Sequence, residues 1–353
     1  MKFVVTGGHH NSALVIAQQL IKQGHQVVWI GHKQAQQGDT NPSAEYLEVT
    51  ANNIPFYNLK AGKSSLKTLP KIPIGFYQAF KILKQEQPQA IISFGSYLGL
   101  TVVIAAWLQK IPIFIHEQTV VGGKANLISA RFARQIFLTW PQSRTYFPSH
   151  KTEVVGLPLR PSILKPPKTS SKKSDRPTVL VLGGKQGSHF INQLIFQLLP
   201  QLTSYRLIHQ TGTSSLTQDY QQALRLKQNL HLSHYYPYGY INETKIGSFF
   251  HQADLVISRS GAHTTYELAY LAKPCLLIPF EFTHKHEQLH NARLLEKIGQ
   301  AVVLRQDQLT PSKLLQAIQT QLQSRPQFIP LQVPTNASQL MIQKILQVLS
   351  TND

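Results

Sequence analysis

Short apolar runs rich in valine, isoleucine and leucine recur along the chain, separated by longer stretches in which apolar residues return at helical spacing. Lys2 to Thr6, Gln26 to Ile30, Ala90 to Phe94, Ile113 to Ile115 and Gln135 to Leu138 read as strands alternating with helices, the pattern of a parallel sheet wrapped by helices. The stretch PSILKPPKTSSKKSDRP, residues 161–177, interrupts that order and reads as a linker. Beyond it the alternation restarts with strand Thr178 to Leu182, a helix near Phe190 to Leu199, and strands Arg206 to His209, Asp254 to Ser258 and Cys275 to Pro279. Two glycine turns, Thr6-Gly7-Gly8 and Gly183-Gly184, open the two halves in corresponding positions. The expectation is an α/β chain of two Rossmann-like domains, 1–160 and 178–335, with parallel sheets facing each other across a cleft, followed by a helical tail over 336–353. Ligands of such open sheets bind beyond the carboxyl ends of the strands.

Chemistry concentrates in Ser258 to Ala292, SRSGAHTTYELAYLAKPCLLIPFEFTHKHEQLHNA, where polar groups sit only at the joints between elements. Gly261 is read as permitting a tight turn into a helix that starts near Ala262. The first turn of that helix presents free N–H groups and a positive dipole end, which suit phosphates. Glu267, in the second turn, can accept two hydrogen bonds from a vicinal diol such as a ribose. Taken alone it reads rather as a solvated helix glutamate, and the surrounding motif reverses that preference. Gln288 and Asn291 follow in the next loop. The whole suits a nucleotide attached to something rich in hydroxyls.

Charge narrows the partners. Lys and Arg total 35 against 16 Asp and Glu, a formal charge of +19, so an anionic partner is expected. No nucleic-acid-binding module is recognisable, and the positive charge is spread over both halves, which argues against nucleic acid. Cys275 is the only cysteine and lies in a predicted buried strand, so a reducing cytoplasm is expected. The N-terminus runs into the first strand without a signal peptide, and no apolar run reaches the roughly 20 residues that span a bilayer. Membrane contact is therefore expected to be peripheral. Neither half carries a full GxGxxG fingerprint or a GxxxxGK[ST] loop, which argues against a dinucleotide dehydrogenase and a P-loop enzyme. His284, His286 and His290 invite a metal reading, but no cysteine or fourth ligand accompanies them, and no metal is expected.

Six motifs stand in order along the chain: TGGH at Thr6 to His9, AAW-x-x-x-IP at Ala105 to Pro112, HEQ at His116 to Gln118, GLPLR at Gly156 to Arg160, GGKQGSHFIN at Gly183 to Asn192, and the SRSGA segment. Together they resemble the MurG family of UDP-N-acetylglucosamine transferases, which make lipid II for bacterial cell walls. The resemblance implies the GT-B fold, with the C-terminal helix returning to pack on the first domain. It implies an inverting transfer of N-acetylglucosamine from UDP-N-acetylglucosamine to lipid I, the undecaprenyl-diphosphate-linked muramoyl peptide, at the cytoplasmic face of the membrane and without a cofactor. One rival is a UDP-sugar 2-epimerase, an enzyme of similar build, and another is a non-catalytic nucleotide-sugar-binding partner of a membrane protein. A transferase with another lipid-linked acceptor is a third.

The family's residues carry over onto matching positions. His9 becomes the base that takes the acceptor proton, with His10 as competitor. Thr6, Gly7 and Gly8 form the turn beside it, and Thr119 stands where the family has the asparagine of HEQN. Arg160 and Lys185 are expected near the diphosphate, although the family has serine in place of Lys185. Ile241 lies in the loop that binds uracil, within Tyr240 to Ile246. Ala262, His263, Thr264, Thr265, Tyr266 and Glu267 form the helix that receives phosphate and ribose, and Gln288 meets sugar hydroxyls. Asn11 and Ser12 replace the family's Phe and Pro, and Leu157 replaces the asparagine of GNP, so acceptor recognition differs in detail.

Between Lys60 and Lys84 there are lysines at 60, 63, 67, 71, 81 and 84 and no acidic residue. Ile74, Phe76, Tyr77, Phe80 and Leu83 are interleaved with them as an apolar helix face. Apolar side chains beside a lysine cluster fit a surface that dips into anionic headgroups. By itself the segment reads as an ordinary core-facing helix. Trp107, at the end of AAWLQK, favours the membrane because the family is similar there.

Overall fold

The computed structural model describes residues 1–34, 42–59, 71–165, 174–184, 186–282, 284–324 and 327–351. The chain forms two compact units, Met1–Leu159 with Pro334–Asp353, and Arg160–Val333.

In the first unit, strands β1 (Lys2–Thr6), β2 (Gln26–Gly31), β3 (Phe56–Asn58), β4 (Ala90–Ser93), β5 (Ile113–Glu117), β6 (Gln135–Leu138) and β7 (Thr152–Val154) form one parallel sheet in the order β3-β2-β1-β4-β5-β6-β7. Helices α1 (His10–Lys22), α2 (Ala44–Ala51), α3 (Lys71–Glu86), α4 (Ser96–Leu108) and α5 (Lys124–Ser129) make the crossovers. Alternation along β1 sorts its side chains between two cores. Phe3 and Val5 pack with Ala13 and Ile16 of α1 on one face, whereas Val4 packs with Leu83 of α3 and Val102 of α4 on the other. The C-terminal helix Ala337–Ser350 seals the first of these faces, burying Met341, Ile342 and Ile345.

The second unit repeats the plan. Strands β8 (Thr178–Leu182), β9 (Arg206–Gln210), β10 (Tyr235–Tyr238), β11 (Leu255–Ser258), β12 (Cys275–Leu277) and β13 (Ala301–Val303) are parallel, in the order β10-β9-β8-β11-β12-β13. They alternate with α6 (Pro161–Leu164), α7 (His189–Leu198), α8 (Asp219–Asn229), α9 (Glu243–Gln252), α10 (Ala262–Leu271), α11 (Glu287–Glu296) and α12 (Pro311–Ser324). Val179, Val181, Leu207, Leu255 and Ile257 of the sheet pack against Ile195 of α7 and Leu314 and Ile318 of α12.

Each sheet reverses its strand order once, between β1 and β4 and between β8 and β11. At such a point neighbouring connections leave on opposite faces and open a crevice at the carboxyl ends of the strands. The motifs TGGH, GGKQG and SRSGA all lie at these two positions. Residues 161–177, read as a linker, begin with α6, and 166–173 lie outside the described residues. Among the described residues no helix is long and apolar enough to cross a membrane.

Candidate active site

In the first unit, Thr6 ends β1 and its hydroxyl donates to the carbonyl of Ile30 at 2.9 Å, so that side chain is committed to the sheet. Gly7 then takes φ +128°, and a Cβ there would lie 2.6 Å from the backbone of Phe94, so only glycine fits where the turn crosses β4. The chain next reaches His9, which precedes the first residue of α1. Burial lowers its pKa below the ordinary 6.5, and the Glu117 carboxylate offsets that only in part. His9 is thus neutral near pH 7, the form a base needs. His10 differs: its Nε2 lies 2.9 Å from the carboxylate of Glu48 on α2 and is engaged there.

Glu117, at the end of β5, is buried and organises the loop that follows. Its Oε1 accepts from the N–H groups of Gln118 and Thr119 at 2.9 and 3.0 Å and from the Thr119 hydroxyl at 2.9 Å. Its Oε2 accepts from Gly123 N–H and from Asn126 Nδ2, each at 3.0 Å. Thr119 is only 2 % exposed, and its single hydroxyl hydrogen is shared between Glu117 Oε1 and Val121 O. Its hydroxyl therefore holds the loop closed. His116 donates from Nε2 to Gly156 O at 3.0 Å, and burial takes its pKa down to about 4.

In the second unit, Gly261 precedes α10, which starts at Ala262, and turns into it with extended backbone at φ −63°. No atom lies within 4 Å of where its Cβ would stand. Neither backbone angle nor packing demands glycine here; its lack of a side chain leaves open the N-terminal end of α10, whose first N–H groups lack carbonyl partners within the helix. Ala262 is buried while His263 and Thr264 are partly exposed; Thr265 and Tyr266 face the core. Of the six positions expected to meet phosphate and ribose, Thr265 and Tyr266 thus offer only backbone.

Glu267 lies beneath that end and is 1 % exposed. Both its oxygens are met by Arg160, Nε at 2.8 Å and Nη2 at 2.7 Å. Burial works against the charge of Arg160, but Glu267 and Glu243 outweigh it and raise its pKa above the ordinary value. The structure therefore places Arg160, expected at the diphosphate, on the ribose candidate. Ser162 of α6 donates to Glu243 at 2.7 Å, which fixes α6 against α9.

Arg259 was not singled out by the sequence reading, yet it joins three elements. Its Nε donates to Ser188 Oγ at 3.1 Å and its Nη1 to the carbonyls of Ile278 and Pro279 at 3.0 and 3.3 Å, tying the turn after β8 to the ends of β11 and β12. Burial brings its pKa down to about 10. Its signal was an arginine directly after a buried strand. Lys185 of the same turn lies outside the described residues. Gln288 accepts the N–H of Phe280 at 2.9 Å, and Asn291 is fully buried, donating to Ser260 O at 3.1 Å. Both lie on α11 rather than in a loop, and Asn291 braces SRSGA from behind. Ile241 follows β10 and is 3 % exposed. Among the described residues no three His, Cys, Asp or Glu side chains converge on a metal position.

On α3, the most outward apolar residues are Ile74 and Tyr77, 52 % and 67 % exposed, and Trp107 and Leu108 at the end of α4 are exposed as well. Lys81 and Lys84 are exposed on α3. Phe76 and Phe80 turn partly inward onto the core formed with α4 and Leu83 is buried in it, so of the expected apolar residues only Ile74, Tyr77 and Trp107 point outward. Lys60, Lys63 and Lys67 lie outside the described residues.

Two family models match the chain, the glycosyltransferase family 28 N-terminal domain over residues 4–138 and the family 28 C-terminal domain over 178–348. The chain is 31% identical over 346 residues to a protein of Clostridium perfringens named UDP-N-acetylglucosamine--N-acetylmuramyl-(pentapeptide) pyrophosphoryl-undecaprenol N-acetylglucosamine transferase, covering 93% of this chain and 92% of that one. A protein of the same name from Desulforamulus reducens is 33% identical over 338 residues, 91% of this chain and 88% of its own. The crystal structure of Acinetobacter baumannii MurG superposes with a TM-score of 0.70 at 26% identity, covering 98% of this chain and 99% of that one. The UDP co-structure of S. aureus MnaA has a TM-score of 0.72 at 12% identity, covering 99% of this chain and 96% of that one, which shows a shared fold.

Proposed function

The chain belongs to the MurG family of family 28 glycosyltransferases, and from that premise we propose roles for its two half-sites. It is a hexosyltransferase of peptidoglycan synthesis that moves N-acetylglucosamine from UDP-N-acetylglucosamine to lipid I. In this reading the second unit holds the donor. The open N-terminal end of α10 and the turn after β8 receive the diphosphate, and Glu267 receives the ribose diol on a carboxylate oriented by Arg160. The base rests in the loop at Ile241, and Gln288 stands by the sugar. The first unit supplies the base. The acceptor hydroxyl oxygen attacks the anomeric carbon from the face opposite the diphosphate, its proton passes to His9, and UDP leaves with the electrons of the broken C–O bond. One displacement inverts the anomeric centre.

The observation that carries the donor reading is the buried Glu267 beneath a helix end left uncovered by Gly261, at the switch point of the second sheet. Exposed Ile74 and Tyr77 on α3, which also carries exposed Lys81 and Lys84, with Trp107 and Leu108 exposed at the end of α4, support peripheral docking on an anionic membrane, at its cytoplasmic face. The 2-epimerases among the structural neighbours are 11–16% identical and share the fold alone. The decisive assay incubates purified protein with labelled UDP-N-acetylglucosamine and a short-chain lipid I analogue. Label transferred to the lipid supports the reading; 2-epimerised UDP-sugar formed without acceptor overturns it.

A further inference from the structure

β9 ends in Gln210, whose side chain bridges two loops. Its Nε2 donates to the carbonyl of Gly184 at 2.8 Å, and its Oε1 accepts the N–H of Ile241 at 2.8 Å. Gln210 is 5 % exposed, so both bonds are made away from water, where they are electrostatically stronger. The Gly184 turn follows β8 and Ile241 follows β10. Gln210, on the strand between, thereby joins the carboxyl ends of three adjacent strands. Glycines show how closely the first loop seats on β9. A Cβ on Gly187 would lie 1.8 Å from Thr211 O, and one on Gly212 would lie 2.1 Å from Gln186 O.

We infer that Gln210 is a positioning residue for the donor, holding the turn that receives the diphosphate and the loop that receives the base at one spacing. This rests on the donor reading above. A ligand that reaches both loops then meets them already set and loses less freedom on binding. Space-filling alone does not need this side chain, since methionine matches its length and flexibility. Glutamine is distinguished by having a donor and an acceptor on one rigid amide, each matched to a backbone group of opposite kind. With its N–H held by Gln210, Ile241 presents its remaining backbone to the base in a fixed direction.

The test measures UDP and uridine binding to the full chain as wild type, Gln210→Met and Gln210→Glu, with thermal melts to confirm folding. Gln210→Met is expected to lower UDP affinity about tenfold or more, and to change affinity for uridine, which reaches one loop only, by less than about threefold. Gln210→Glu keeps the acceptor for Ile241 but sets a carboxylate against the Gly184 carbonyl. Its UDP affinity, relative to wild type at the same pH, is expected to be low at about pH 8 and to recover toward about pH 5 as the buried carboxyl takes up a proton and becomes a donor again. This second variant carries the test if the methionine variant does not fold. UDP affinity at wild-type level in either variant at about pH 8, equal loss for UDP and uridine, or no recovery on acidification overturns the positioning role. Absence of UDP binding by the wild-type chain overturns the donor reading itself, an outcome distinct from a failure confined to the variants.

Discussion

Arg160 and Glu267 form a two-pronged ion pair in which both carboxylate oxygens receive a guanidinium N–H, at 2.8 and 2.7 Å. The carboxylate is fully buried, so the pair is shielded from the screening that weakens surface pairs. A carboxylate oxygen can accept more than one hydrogen bond, which is what a vicinal diol asks of it. Arg160 orients Glu267 through two charge-assisted hydrogen bonds.

The pair changes what a Glu267 variant reports. Glu267→Ala leaves the mostly buried Arg160 without its principal counter-charge, and breaking a buried pair by removing one partner costs about 3–5 kcal/mol of stability. Its melting temperature should fall with its UDP affinity, so binding loss alone is uninformative. Glu267→Gln keeps the shape and should weaken UDP binding by about 1–3 kcal/mol. Calorimetric UDP affinity equal to wild type in Glu267→Gln removes Glu267 from the ribose.

His9 and His10 separate by their partners. His9→Ala is expected to lower turnover by about two to four orders of magnitude with little change in UDP affinity. His10→Ala breaks the pair with Glu48 and should cost stability more than rate. The pKa of His9 is lowered, so its neutral form persists somewhat below pH 6.5 and turnover should decline only on further acidification. A rate that already halves at a pH above 6.5, or a larger turnover loss in His10→Ala, moves the base away from His9.

Much of this architecture was legible because buried parallel strands are apolar along their whole length. Lys2–Thr6, Thr178–Leu182 and Leu255–Ser258 carry that signature. The four strands absent from the sequence reading, Phe56–Asn58, Thr152–Val154, Tyr235–Tyr238 and Ala301–Val303, are the outermost strands of the two sheets. An edge strand has one neighbour and more solvent, so three or four residues suffice and polar ones are tolerated. The site was legible as motifs but not as contacts. Nothing in the spacing of Arg160 and Glu267, 107 positions apart, reveals that they pair. The reason for Gln210 likewise lies in atoms brought near by the fold, the Gly184 carbonyl and the Ile241 N–H.

The membrane face can now be tested on the side chains that point outward. Replacing Ile74, Tyr77 and Trp107 with Ser should weaken flotation with anionic liposomes even at high salt, where charge is screened. Lys81→Gln with Lys84→Gln should weaken it at low salt by about 1 kcal/mol per lysine and make the remainder less salt-sensitive. Phe76→Ser and Phe80→Ser are poorer probes, because both residues also pack on the core. Transfer to a short-chain acceptor should survive the outward substitutions. Flotation of the serine variant at wild-type level, or none by the wild type, ends the membrane assignment.

Acid should weaken the second unit through one buried histidine. His209 is fully buried, with Nε2 3.0 Å from Asn192 Oδ1 and Nδ1 3.0 Å from the Tyr235 hydroxyl. Asn192 donates from Nδ2 to Thr211 O and to Asp219, each at 2.8 Å, so its oxygen accepts from His209 Nε2–H and Nδ1 accepts from tyrosine. Both ring nitrogens are satisfied in the neutral form, and burial lowers the pKa from 6.5 to about 3. The unfolded chain takes up this proton as pH falls below 6.5, and the folded chain resists until about 3. The contribution of His209 is therefore complete above pH 6.5 and is lost as pH falls toward 3, at no more than about 1.4 kcal/mol per pH unit. His209→Gln has no proton to gain, so its melting temperature should fall less than that of wild type between pH 7 and pH 4.5. It will start lower at pH 7, because one amide cannot reproduce the spacing of two ring nitrogens. Parallel declines in the two proteins show that the acid sensitivity lies elsewhere, with His116, whose pKa is held at about 4, as the next group to replace.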